Sequence, residues 1–489
     1  MNLVDALSSF NARSVIELCL SPEFTRGHDS IARAIQDYPH GRNNTEAGTD
    51  HVSAQAVQQL RKYIPDNGDS CHFFALDVSA CQRPYAAKLK EKQIVHKSNP
   101  TPGQKPIAVG HNLSCLGLVS TGHSWCLPVS LKRVPLDESQ TDFGLQQAET
   151  VTHYFGDKNC IIASDAKYSH KEAISRAYEW RFGLLLSRLS PARVFYYQHD
   201  ALGDRPGKQG RKKRYGEAFK LRDHASRDSA HAPDITTTIE HVTATGKQWQ
   251  VTIDRFDDLI MKGSKACPMS EKPVLIYRIS VVDHQGRKVY EQPLWLVGAG
   301  HPARHIDLAD IFFAYNLRFN IEHWFRFSKQ HLLVDKFQTC DTSHEENWWL
   351  FPLLATHMLF HSRHLADDYS MPWESNNLKG PASPSQVKRT MGKILRECGT
   401  PAQDSKVRGM GSGRKHGSKN ATKRESSDIH FKTEKKPMAG SIIIKLPVDS
   451  IEGFSDARFS AHNLPTSGAV LKEVLQQAMN RKNDASVAV

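Results

Sequence analysis

The chain predicts an α/β fold in which a mixed sheet is interrupted by a β-rich insertion, preceded by a helical region and followed by a basic tail. Three observations carry the prediction. Short apolar runs alternate with helix-period segments between residues 72 and 197. Four strand-like runs follow one another from 236 to 297 with no helical pattern between them. Lys and Arg outnumber Asp and Glu by 64 to 52, and the excess crowds two Gly-rich stretches.

The elements follow in order. Residues 1–65 read as a helical N-terminal domain, from the apolar spacing of Val15, Ile16, Leu18 and Leu20 and of Val57, Leu60 and Tyr63, with a Gly/Asn-rich break at 40–49. Residues 66–200 and 301–375 are expected to form the core. It opens with a buried strand at 72–77 ending in Asp77, then strands at 107–120 and 124–131 around a Thr-Gly turn, an antiparallel start of three. A helix at 143–154 leads to a strand at 160–164 that delivers Asp165 just before a long helix at 169–188, and a strand follows at 192–197. The insertion spans 201–300, with strands at 236–242, 249–253, 274–282 and 289–297. Two aromatic helices, 313–329 and 348–365, complete the core, and 376–489 reads as a basic, partly disordered C-terminal region.

Composition narrows the function. At 489 residues the chain implies two or more domains. A net charge of +12 and a pI near 9.1 favour a polyanionic partner, either nucleic acid or an anionic membrane surface. No run approaches twenty apolar residues, and Asp5, Arg13 and Glu17 interrupt the stretch a signal peptide would need, so the expectation is a cytoplasmic protein with no membrane partner. Nine cysteines without a Cys-x-x-Cys pair fit reduced packing residues. His357, His361 and His364 could share a helix face, which is compatible with zinc, although core and surface histidines are the commoner explanation in such an aromatic, apolar helix.

The most informative segment is 315–329. On one helix, Tyr315, Arg318, Glu322 and Lys329 form a single stripe, while Phe313, Leu317, Ile321, Trp324 and Phe325 face the other way. The reading is a wet, charged face over a buried one. One carboxylate among cations suits a metal ligand whose neighbours grip phosphate oxygens. Arg318 and Glu322 are also an ordinary i,i+4 ion pair, and Asp77 and Asp165 are each at home as a cap or turn residue. As a set, two strand-end acids and a helical one make a candidate metal site.

Here the sequence resembles the DDE transposases of bacterial insertion sequences, whose core is ribonuclease H-like. Tyr315, Arg318, Glu322 and Lys329 meet the Y-(2)-R-(3)-E-(6)-K signature of the cut-and-paste group with every spacing kept. Asp77 with Val78 and Ser79 resembles the first-acid motif, in which a hydroxyl residue often follows two positions on, and Asp165 resembles the second. The resemblance implies that Asp77, Asp165 and Glu322 are catalytic and bind two Mg²⁺ ions, with Mn²⁺ able to substitute, and that Tyr315, Arg318 and Lys329 hold phosphates. It implies double-stranded DNA as partner, both element ends and target, a homodimer in the synaptic complex, and a bacterial cytoplasmic protein that is nucleoid-associated when bound. By analogy the 1–65 region helps bind the element's ends.

Arg211, Lys212, Lys213 and Arg214, among glycines and aromatics, suit a loop that tracks a phosphate backbone, and 406–436 is a second basic region. Trp249 is a candidate for stacking an unpaired base. Two other readings stay open: a ribonuclease H-like nuclease that cuts without joining, and a non-catalytic DNA-binding relic.

Overall fold

The computed structural model describes residues 2–37, most of 57–199, 214–223, 231–369 and 382–407, and short pieces between 417 and 444. Arg211, Lys212 and Lys213 and most of 406–436 lie outside the described residues.

In chain order the first half comprises α1 (Asn2–Ser9), α2 (Asp29–Asp37), β1 (His72–Gln82), β2 (Gln93–His96), β3 (Ile107–Ser120), β4 (His123–Arg133), α3 (Gln140–Thr152), β5 (Cys160–Ser164), α4 (Lys171–Tyr178) and β6 (Gly183–Arg188). The run Phe73 to Leu76 is buried on both faces, which makes β1 the central strand. It pairs antiparallel with β3 and parallel with β5, and β5 pairs parallel with β6. Ser120 pairs with His123, so Thr121 and Gly122 form the two-residue turn that joins β3 to β4. An antiparallel meander continued by two parallel strands is the ribonuclease H-like arrangement that the order of elements leads one to expect. Ser139 caps α3 by accepting a bond from the Asp142 amide at 3.0 Å.

The second half adds β7 (Val194–Gln198), β8 (Tyr215–Lys220), β9 (Ile235–Val242), β10 (Gln248–Leu259), β11 (Val274–Asp283) and β12 (Leu294–Ala299). There follow α5 (Leu308–Leu317), α6 (Phe319–His331), α7 (Thr342–His361) and α8 (Pro384–Glu397), and the short strands β13 (Ile429–Phe431) and β14 (Ile442–Ile444). Strands β9 to β12 do not form a sheet of their own. β12 pairs antiparallel with β6, so the sheet runs on through β11 and β10 to β9. The seam is tight: a Cβ on Gly300, whose φ is 140°, would lie 2.2 Å from the Gly183 carbonyl oxygen.

Several expected elements differ, among them the strand expected over 289–297, which begins only at Leu294. β1 does not stop at Asp77 but continues five residues to Gln82, because β3 offers backbone partners as far as Gly110. The helix expected over 169–188 is α4 alone. Leu184, Leu185 and Leu186 are fully buried between β5 and β12, and an apolar run packed on both faces is a strand. The helix expected over 313–329 is two helices that meet at Arg318, which keeps right-handed helical angles (φ −51°, ψ −35°) while its amide bonds back only three residues, to Tyr315.

The helices cover the sheet and each other. α6 packs on β1 and β4, α5 on β1 and β5, and α7 on β4 and α1. The N-terminal helix is docked rather than free-standing: the buried Lys388 on α8 donates to the Leu7 and Phe10 carbonyls at 2.6 and 3.1 Å. Lys406 likewise spends its ammonium on the Phe24 and Arg26 carbonyls, so this one member of the second basic region serves the fold. Glu345 of α7 is fully buried and receives Arg83 at 3.0 Å while facing His111 Nδ1, which ties α7 to β3 and the end of β1. His357 is buried with Nε2 on the Pro128 carbonyl at 2.9 Å, so the zinc reading of its helix face gives way to packing.

Candidate active site

Strand register brings the first two acids together. Leu76 on β1 lies opposite Ser164 on the parallel β5, so the next residues along, Asp77 and Asp165, are neighbours across about 4.8 Å of sheet. Ser164 in turn faces Ser187 on β6, with a 2.6 Å bond between the hydroxyls, which puts Arg188 next in the same row. The row lies at the carboxyl ends of β5 and β6, where open α/β sheets place ligand sites.

Asp77 remains within the sheet, opposite Cys115, and its Oδ1 accepts the Val78 amide at 2.8 Å. Burial pushes its carboxyl up to about 6; the Val78 bond and Arg318 pull the other way, and the negative charges of Asp165 and Glu322 push it further up. Glu322 is thus near enough for its charge to be felt at Asp77, although 245 residues separate them in sequence. Asp165 caps the short 3₁₀ turn Ala166–Ser169, its Oδ1 taking the Lys167 amide at 2.9 Å. Beneath both acids lies the buried Tyr168, whose phenol is raised by burial first and then by Asp77 and Asp165.

The signature residues divide differently from the wet-stripe reading. Tyr315 and Arg318 are 4% and 7% exposed, whereas Glu322 faces solvent. α5, which ends in Tyr315 and Leu317, packs on β1 and β5. Arg318 Nη2 donates to Glu322 Oε1 at 3.1 Å, and its guanidinium lies 4.7 Å from the ring centre of the exposed Phe319. Arg318 Nε is buried without a hydrogen-bond partner, and the phenol of the buried Tyr315 interacts with the Arg318 guanidinium. Lys329 is half-buried and donates to Ser79 Oγ at 2.7 Å and to the Ala80 carbonyl at 2.8 Å.

The donor chemistry fits a hard divalent cation: two adjacent carboxylates, a third within Coulombic reach, and an acid at Asp77 whose ionisation is opposed by burial first and then by its two acidic neighbours. Among the described residues no three His, Cys, Asp or Glu side chains are gathered at metal-binding range. Glu322 is turned onto Arg318.

Elsewhere, Arg214 is exposed at the start of β8. Trp249 is half-buried on β10, with ring centres of His241 at 6.0 Å and Tyr290 at 6.4 Å. Sequence reasoning missed Arg188 and Tyr168. Reading 183–188 as a strand would have exposed Arg188 as its terminal cation.

The profile of the DDE superfamily endonuclease family matches residues 1–255, and the chain belongs to that family. The ribonuclease H-like sheet and the family match together identify a nuclease of a class that generally depends on divalent metal. The match includes Asp77 and Asp165 and ends before Glu322. Comparison with curated proteins gives no match. No helix among the described residues is long and apolar enough to cross a membrane.

Proposed function

We propose that the chain is a transposase that excises a mobile DNA segment and joins it to target DNA. The observation that carries the reading is the adjacency of Asp77 and Asp165, with Glu322 acting on Asp77 from a helix that keeps the full Tyr, Arg, Glu, Lys spacing. Two Mg²⁺ ions, or Mn²⁺, held by Asp77, Asp165 and Glu322 would supply Lewis-acid activation of the attacking oxygen and stabilisation of the leaving one. Water attacks phosphorus and the bond to the 3′ oxygen breaks; the freed 3′-hydroxyl then attacks a second phosphodiester. One P–O bond forms as one breaks at each step, so no energy-rich cofactor is consumed.

The chain's own part is to grip and orient the scissile strand. By the resemblance Tyr315 and Arg318 hold phosphate oxygens, Arg318 through the guanidinium that already meets the exposed Glu322. Lys329 adds a cation close to Asp77. Arg211, Lys212, Lys213 and Arg214 add a run of cations suited to a phosphate backbone. The two ends are held by a homodimer in the cytoplasm.

The test is cleavage of a labelled duplex carrying the sequence that flanks the gene, with Mg²⁺ or Mn²⁺, comparing the parent with Glu322→Gln. Nicking at one boundary and joining to a second duplex by the parent alone supports the transposase. Cleavage without joining leaves a nuclease, and binding without cleavage by either protein leaves a DNA-binding relic.

A further inference from the structure

One polar tie joins the strand of the first acid to the helix of the third. Asp77 and Ser79 lie two apart on β1 and therefore share a face of the sheet, about 7 Å apart. Glu322 and Lys329 lie seven apart on α6 and share a face of the helix, about 10 Å apart. Lys329 Nζ reaches down from α6 and closes the gap, with Ser79 Oγ at 2.7 Å and the Ala80 carbonyl at 2.8 Å. An ammonium has three N–H donors. Two are taken here, which fixes the direction of the third.

We propose that Ser79 is a positioning residue: its hydroxyl orients Lys329 so that the remaining N–H points at the scissile strand, and it sets α6 against β1 so that Glu322 stands at a fixed distance from Asp77. The inference rests on the nuclease site proposed above and assigns Ser79 no contact with DNA or metal. The Ala80 carbonyl alone leaves the ammonium free to swing about one bond. A second hydrogen bond, from a residue that β3 holds in register opposite Leu113, removes that freedom.

The experiment pairs Ser79→Ala with Ser79→Thr, which keeps the hydroxyl and suits a strand. In the first arm, the full-length proteins are labelled briefly with acetic anhydride without metal or DNA, and Lys329 acetylation is read by peptide mass spectrometry. Ser79→Ala is expected to raise the Lys329 rate at least threefold relative to other lysines, and Ser79→Thr to restore it. In the second arm, cleavage of the flanking duplex is expected to lose about tenfold in kcat, with KM within twofold, in Ser79→Ala only. Unchanged Lys329 labelling in Ser79→Ala overturns the proposal whether or not the parent cuts DNA. Equal loss in both variants with a lowered Tm overturns it too, since that is packing at β1. A parent that cuts nothing refutes the function and leaves the labelling arm to decide the role of Ser79.

Discussion

Replacing Asp77 by Asn should stabilise the metal-free protein at neutral pH. In the fold the Asp77 carboxyl is pushed up to about 6, by burial first and then by the neighbouring Asp165 and Glu322, from an ordinary value of 3.8. At about 1.4 kcal/mol for each tenfold change in proton affinity, keeping it ionised costs the folded state up to about 3 kcal/mol, and about 2 after allowing for its partial access to water. The sign follows from proton counting. Between pH 4 and 6 the folded chain holds the Asp77 proton that the unfolded chain has released, so stability falls as pH rises through that window, and the full cost stands at pH 7.5. Asn keeps the shape and an oxygen for the Val78 amide while removing the charge. Urea unfolding in EDTA should therefore show Asp77→Asn more stable than the parent by about 2 kcal/mol at pH 7.5, with the gain gone at pH 4. Added Mg²⁺ should stabilise the parent and leave the variant almost unmoved. A variant no more stable than the parent at pH 7.5, or equally stabilised at both pH values, would refute the claim that Asp77 sits in a charge-starved acidic site.

Other outcomes can be checked alongside. Glu322→Gln should abolish cleavage yet change folding stability by less than about 1 kcal/mol, because its ion pair with Arg318 is half open to water; thermal unfolding beside the cleavage assay checks both. Glu345→Ala leaves Arg83 buried without its partner and should cost about 3 to 5 kcal/mol, read from the urea midpoint. The His357 imidazole is lowered to about 4 by burial, so the folded state requires it neutral: stability is complete above about 6.5 and falls as pH drops toward 4. His357→Gln should flatten that acid limb in a series of urea melts.

Much of the sheet was legible because its strands carry their own signals. The apolar run ahead of Asp77 falls on β1, the Thr-Gly turn falls between β3 and β4, and the β-branched runs at 236–242 and 274–282 fall on β9 and β11. The segment 183–188 was not legible, since Leu-Leu-Leu suits a buried helix and a buried strand equally and only its neighbours β5 and β12 decide. The same limit applied at the site. Spacing singled out Asp77, Asp165 and Glu322, but the adjacency of the two aspartates is a matter of register between strands far apart in sequence. The burial of Tyr315 and Arg318 depends on what packs over them, which helix periodicity does not encode, and the bond from Lys329 to Ser79 spans 250 positions.

The seam between β6 and β12 constrains how such a chain can change in length. If 201–300 were a detachable module, shortening it would cost only its own contacts. Instead β12 supplies the backbone partners of β6, and its loss would bare a strand whose Leu184, Leu185 and Leu186 are now wholly enclosed. An uncovered, leucine-rich strand two positions from Asp77 is a template for pairing with another molecule. Descendants of this chain should therefore lose the outer strands β9 and β10 long before β12, and truncations that remove all four should be found in inclusion bodies rather than as minimal nucleases.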